Sequence, residues 1–99
     1  MNLTYQILYW RDIPAQLKVR SDRERIAREL SPRFQEAIDE AAMRTRTTGS
    51  DEYLEDWRST EWQAGEGDPN IFADSQVAEI EAAYPPERLG ELVENKGFA

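Results

Sequence analysis

Apolar and polar side chains alternate with a period of two along residues 5–19, and the rest of the chain is read around that stretch. In its first arm Leu3, Tyr5, Ile7 and Tyr9 alternate with Thr4, Gln6, Leu8 and Trp10. Apolar side chains on both faces mark an interior strand. In the second arm Ile13, Ala15, Leu17 and Val19 alternate with Pro14, Gln16, Lys18 and Arg20, the pattern of a half-buried strand. Pro14 lacks a backbone donor and belongs at a strand start or edge. The reversal therefore falls near residues 11–13, and a β-hairpin carries Trp10, Arg11 and Asp12 at its tip.

Beyond the hairpin the period changes. Ser21 and Glu24 have the spacing of a capping box, in which the hydroxyl accepts from an orphan amide and the carboxylate returns the bond. Ile26, Leu30, Phe34, Ala37, Ile38 and Ala41 then recur at three and four residues, one apolar stripe of a helix. Glu24 before Arg28 and Glu29 before Arg33 have the favourable i,i+4 order on its outer side. Pro32 either kinks one long helix or starts a second behind Ser31. The pattern favours helix–kink–helix ending near Arg46, with Gly49 beyond its end.

The second half is less decided. Tyr53, Glu55 and Trp57 share one face of an extended segment, with Leu54, Asp56 and Arg58 on the other, yet the same residues also pair on a helix. Trp10-Arg11 and Trp57-Arg58 lie 47 residues apart, and Ile7 with Leu54 and Gln16 with Gln63 share that offset. Residues 36–42 and 78–83 echo one another at a slightly shorter offset. A duplicated ββα unit accounts for both. It predicts a second hairpin from residues 52–58 and 61–65, then a turn at Gly65 and Gly67. Asp68 is the expected N-cap, with Pro69 in the first helical position. That helix runs to about Tyr84 and buries Phe72, Ala73, Val77, Ile80 and Tyr84, before Pro85 and Pro86 break it. Leu89, Leu92 and Val93 mark a short last helix, with Gly97 past its end. The expected fold is α+β and ββα-ββα-like. A four-stranded antiparallel sheet carries two main helices on one face, the first kinked near Pro32, plus a short C-terminal helix. Residues 1–99 make a single domain, divided into 5–49, 50–84 and 85–99.

Composition narrows the function classes. With 39% apolar residues and 32% charged ones in a 99-residue chain, the core is modest, and ten aromatics must supply much of it. The chain contains no Cys and no His, which removes disulfides, thiolate nucleophiles and imidazole acid–base chemistry. Residues 1–49 hold nine Lys and Arg against seven Asp and Glu (+2); residues 50–99 hold three against thirteen (−10). An acidic second half repels phosphate backbones, so no nucleic-acid partner is expected. Its ordinary role is a solvated face, and the alternative is a docking surface for a basic partner. The chain shows neither a membrane span nor the blocks of a signal peptide, so a cytoplasmic location is expected.

Few constellations carry chemistry. Asp51, Glu52, Glu55 and Asp56 could gather a hard cation, but their spacing lacks an EF-hand's alternating ligands and glycine. Gly65 and Gly67 lack the third glycine and the Lys-Ser/Thr of a phosphate loop, and read as a turn. No metal, cofactor or catalytic group is expected. Trp10, Arg11, Asp12, Trp57, Arg58 and Trp62 remain as interface candidates, because Trp and Arg dominate binding energy at protein interfaces. The competing role for the tryptophans is core packing. Truncating Trp10, Arg11 or Trp62 is expected to leave folding largely intact and to weaken a partner contact.

Residues 9–16 (Tyr-Trp-Arg-Asp-Ile-Pro-Ala-Gln), 33–39 (Arg-Phe-Gln-Glu-Ala-Ile-Asp), 53–57 (Tyr-Leu-Glu-Asp-Trp) and 84–89 (Tyr-Pro-Pro-Glu-Arg-Leu) together resemble a small bacterial family described as virulence factor. A similar domain lies within the staphylococcal conserved virulence factor C, beside HEAT-like repeats. The likeness covers nearly the whole chain, but the label names no substrate and no catalytic residue. Together with the Trp/Arg hairpin region it points to a protein-interaction or accessory module whose partner is a larger enzyme or a HEAT-repeat-like protein, while the +2 and −10 halves allow a head-to-tail homodimer. Because some members are encoded beside corrinoid and folate enzymes, it also implies an accessory role in one-carbon metabolism as the alternative.

Overall fold

The computed structural model describes residues 2–45 and 54–99. It is α+β, with an antiparallel sheet and three helices among the described residues. The first hairpin forms as its alternation predicts. Strands β1 (Asn2–Trp10) and β2 (Ile13–Ser21) pair from Leu3↔Ser21 to Trp10↔Ile13, with a bulge near Leu8 and Tyr9. Arg11 and Asp12 make the turn between them, with Arg11 at φ 53°.

Residues 25–29 correct the helical expectation: Arg25–Glu29 is a third strand, β3, antiparallel to β2 from Arg20↔Arg25 to Gln16↔Glu29. Ile26 and Leu30 fit a helical stripe, but Ile26, Arg28 and Leu30 also alternate with Arg25, Ala27 and Glu29. The free edge of β2 offers backbone partners, which decides the ambiguity. Ser21 keeps its capping chemistry in a different element. Its Oγ accepts from the backbone N–H of Arg23 (3.4 Å) and Glu24 (3.2 Å), closing the β2–β3 turn instead of starting a helix. The helix α1 (Pro32–Arg44) begins at the proline, behind an extended Ser31 (φ −60°, ψ 156°), as the residue before proline prefers. It buries Phe34, Ala37, Ile38, Ala41 and Ala42. It ends at Arg44, short of Arg46; that residue and Gly49 lie outside the described residues.

The second hairpin does not form. Leu54 and Glu55 are helical, Asp56 is in a turn, and β4 (Trp57–Ser59) and β5 (Gln63–Glu66) both pair with β1 instead of with each other. They lie end to end along one edge, Trp57–Ser59 beside Leu8–Trp10 and Gln63–Glu66 beside Asn2–Tyr5. The strand order is β3-β2-β1 with β4 and β5 sharing the last place. The 47-residue echo therefore does not mark a repeated unit: Trp10 and Trp57 are direct antiparallel cross-strand partners, and so are Tyr9 and Arg58. With no second hairpin there is no second ββα unit. Tyr53, Asp51 and Glu52 lie outside the described residues.

Helix α2 (Pro69–Ala83) starts where its signals place it, with Asp68 Oδ1 accepting from the N–H of Asn70 (2.9 Å) and Ile71 (3.1 Å). It covers the face of the sheet carrying Leu3, Tyr5, Leu17, Val19 and Ile26, against which Phe72, Ala73 and Val77 pack. Gly65 permits this approach, since a Cβ there would stand 2.6 Å from Leu3 Cδ1 and 2.9 Å from Phe72 Cζ. Helix α3 (Pro86–Glu94) buries Leu89, Leu92 and Val93 and pairs with α1 around Trp10 and Ile13. Arg33 ties the two layers together. It donates to Glu81 Oε1 (3.0 Å), the Glu81 carbonyl (3.0 Å) and the Tyr84 carbonyl (3.3 Å), satisfying orphan acceptors at the end of α2.

Candidate functional site

The six interface candidates fall into two groups. Five of them gather around the hairpin tip, where they are knotted into the fold. Trp10 has no exposed surface and belongs to the main core, against α1 and α3, so it is a packing residue and not a contact for a partner. The Arg11 side chain is only 9% exposed. Its Nε pairs with Asp56 Oδ2 (2.9 Å), its Nη1 donates to the Lys96 carbonyl (2.6 Å), and its guanidinium lies 4.6 Å from the Trp10 ring and 4.7 Å from the Phe98 ring. Backbone bonds fix the turn as well, from Arg11 N–H to the Asp56 carbonyl (3.0 Å) and from Asp12 N–H to the Gly97 carbonyl (2.8 Å). The Asp12 carboxylate accepts from Arg58 Nη2 (3.1 Å) and from the Ala99 N–H (2.7 Å). Trp57 is half-buried against the core beside Trp10.

The end of the chain reaches the tip through a Schellman turn. Lys96 sits in the left-handed region (φ 63°), with Gly97 N–H bonded to the Leu92 carbonyl (2.7 Å) and Lys96 N–H to that of Val93 (3.0 Å). Gly97 then lies so close that a Cβ would meet Trp10 Cζ3 at 2.9 Å. The stretch that looked most like a binding tip is therefore a structural clamp joining residues 56, 58 and 96–99.

Trp62 stands apart. Between the Tyr5↔Gln63 and Leu8↔Ser59 pairs, β1 has two residues and the opposing chain has three. That extra residue is a bulge, a device that re-aims side chains. Thr60 anchors it, its N–H donating to the Ile7 carbonyl (3.0 Å) and its Oγ1 accepting from the Ile7 N–H (3.0 Å). Gln6 Nε2 donates to the Thr60 carbonyl (3.1 Å). Trp62 remains 37% exposed, with the Arg20 guanidinium 3.9 Å from its ring centroid. Arg20 Nε in turn donates to Thr4 Oγ1 (3.2 Å).

Trp62 thereby borders the face of the sheet that α2 leaves uncovered. Two cross-strand rows make up this face, Thr4–Arg20–Arg25 and Gln6–Lys18–Ala27. The next row, Leu8–Gln16–Glu29, shares a shallow depression with Phe34 and Gln35 at the start of α1, which bounds the open area. A groove of about 290 Å³ crosses the open rows, lined by Gln6, Lys18, Arg20, Arg25, Ala27 and Trp62 among others. Sequence reasoning singled out Trp62 but missed Lys18, Arg20 and Arg25. The first two were visible as the polar side of β2; Arg25 was hidden by the helical reading of residues 25–29.

One titrating group is shifted. Burial pushes the Tyr9 hydroxyl above its ordinary value, helped by the neighbouring Tyr84 hydroxyl; Arg58 and Arg88 oppose the shift. Among the described residues no group of three or more His, Cys, Asp or Glu could hold a metal ion, and no helix is long and apolar enough to cross a membrane.

A small α+β domain with one uncovered sheet face, bordered by a bulge-mounted tryptophan, is the class that fold and site define. The family comparison makes it specific. The model of the family described as Virulence factor matches residues 8–93, and the chain belongs to that family. No curated protein and no solved structure matches it significantly.

Proposed function

We propose that the protein is a non-catalytic interaction or accessory module that docks on a larger protein through the open sheet face, with Trp62 as the anchor. The bulge at residues 60–62 carries this reading. It holds a large aromatic side chain over a face that no helix among the described residues covers, instead of folding it into the core. Half-exposed tryptophans backed by arginine are the residue type that dominates interface energies. Arg58, with its side chain 53% exposed, and Asp12 at the hairpin tip are too far committed to internal pairing to serve as anchors. The partner on this reading is a larger enzyme or a HEAT-repeat-like protein. The test is affinity capture from the native host with wild type and Trp62→Ala, both checked for equal thermal stability. Loss of one co-eluting protein with Trp62→Ala is the expected result, and an unchanged set of partners rejects the docking face.

A second reading is an accessory role in corrinoid- or folate-linked one-carbon metabolism. The observation in its favour is the same indole beside three cations, which could stack a pterin and take its anionic tail. Tetrahydrofolate derivatives would then quench tryptophan fluorescence saturably in wild type and not in Trp62→Ala. Absence of quenching at millimolar ligand rejects it.

A further inference from the structure

We infer that the open face recognises an acidic segment of its partner protein, a short stretch carrying Asp or Glu beside an aromatic or apolar residue; this rests on the docking reading above. The chain as a whole carries 20 acidic and 12 basic residues, so an unneutralised basic patch on it is against the average. Yet the open face presents Lys18, Arg20 and Arg25 with no carboxylate of its own in the two rows that hold them. The ion pairs among the described residues are made by Arg11, Arg28, Arg33, Arg44 and Arg58, all elsewhere. Arg20 and Arg25 are moreover direct cross-strand partners. Like charges in that position repel across the sheet. An incoming carboxylate between them relieves the repulsion, which gives the groove a built-in preference for anionic side chains.

The shape agrees with a side-chain-sized occupant. Ala27, small and opposite Lys18, leaves the floor of the groove low, and Trp62 forms one wall. Carboxylates would reach Lys18, Arg20 and Arg25 while a neighbouring aromatic or apolar residue lies against the indole. A nucleic acid offers both anions and stacking bases, but its backbone would approach a protein of net charge −8. Long-range repulsion disfavours that encounter. A peptide segment brings its few charges only where the three cations stand.

The test is a fluorescence-anisotropy titration of the full chain with three labelled probes: a Glu/Tyr-alternating peptide, a Lys/Tyr-alternating peptide of equal length, and oligo-dT. The inference expects binding of the Glu/Tyr peptide alone, weakened by added salt. It expects a loss of about tenfold or more, ~1.4 kcal/mol, in the Lys18→Glu/Arg25→Glu double variant. Equal binding of the Lys/Tyr peptide, no effect of the double variant, or preferential binding of oligo-dT overturns it. Host-partner capture separates the two levels. If Trp62→Ala loses the partner while Lys18→Glu/Arg25→Glu keeps it, the docking face stands and the acidic segment is wrong; if neither variant loses it, both fail.

Discussion

Arg11→Ala should cost about 3 kcal/mol of stability, and the structure supplies the parts of that figure. The side chain is 9% exposed and makes one ion pair, one hydrogen bond to a carbonyl and two ring contacts. Its partner Asp56 is 32% exposed, so the carboxylate regains water when the pair breaks. The loss there is nearer to about 1 kcal/mol than to the larger penalty of a fully buried charge. The bond to the Lys96 carbonyl adds about 1 kcal/mol. Stacking on Trp10 and Phe98 adds about 0.5 kcal/mol each. The backbone strain of φ 53° is common to Arg and Ala and cancels. Arg11→Gly removes that strain, about 1 kcal/mol, and should therefore be destabilised less than Arg11→Ala. Urea unfolding followed by tryptophan fluorescence measures both. With m near ~1.5 kcal/mol/M, the midpoint of Arg11→Ala should fall by about 2 M. A fall of less than about 0.5 M would refute the clamp and return the tip to the list of interface candidates.

Three other outcomes follow from local geometry. Lys96→Gly places the preferred residue at the left-handed position of the Schellman turn and keeps the carbonyl that Arg11 uses, so it should raise stability by about 0.5–1 kcal/mol in the same urea assay. Gly65→Ala forces a methyl against Leu3 and Phe72 where β5 meets α2, and should lower the melting temperature with a cost of about 1–3 kcal/mol. Tyr9 holds its proton more tightly in the folded state than in the unfolded one, so its contribution is complete below the ordinary tyrosine value of 10.0 and is lost as pH rises above it. Denaturation between pH 9 and 11 (about the range of ordinary tyrosine titration) should show a steeper alkaline decline in wild type than in Tyr9→Phe, and parallel curves would contradict the assignment.

Trp62 connects these stability predictions to function. Because it lies on the open face, its truncation should cost little stability, whereas the clamp residues should cost much. The contrast separates binding defects from folding defects in any partner assay. Arg20→Ala belongs with Trp62→Ala, since it removes the guanidinium that lies against the indole and the bond to Thr4.

Much of this protein was written locally. The period of two in residues 5–19 set the first hairpin. Asp68 and Pro69 set the start of α2, and Pro32, Pro85 and Pro86 set boundaries, because caps and prolines act through their own backbone within a few residues. The apolar stripes of α1 and α3 came out at the expected positions for the same reason. What the tertiary structure decided were pairings between remote segments. Residues 25–29 carry both helical and strand periods, and the open edge of β2 chose the strand. Trp57 and Arg58 looked like a copy of Trp10 and Arg11 but lie opposite Trp10 and Tyr9, a pairing that exists only once the two remote segments meet in the sheet. The candidate site was legible only as a residue type, Trp62. Its position depends on a one-residue surplus in a strand broken between β4 and β5, and the cations around it come from two further strands, β2 and β3. No local pattern encodes that surplus, because it exists only in the register between chains of residues more than fifty positions apart.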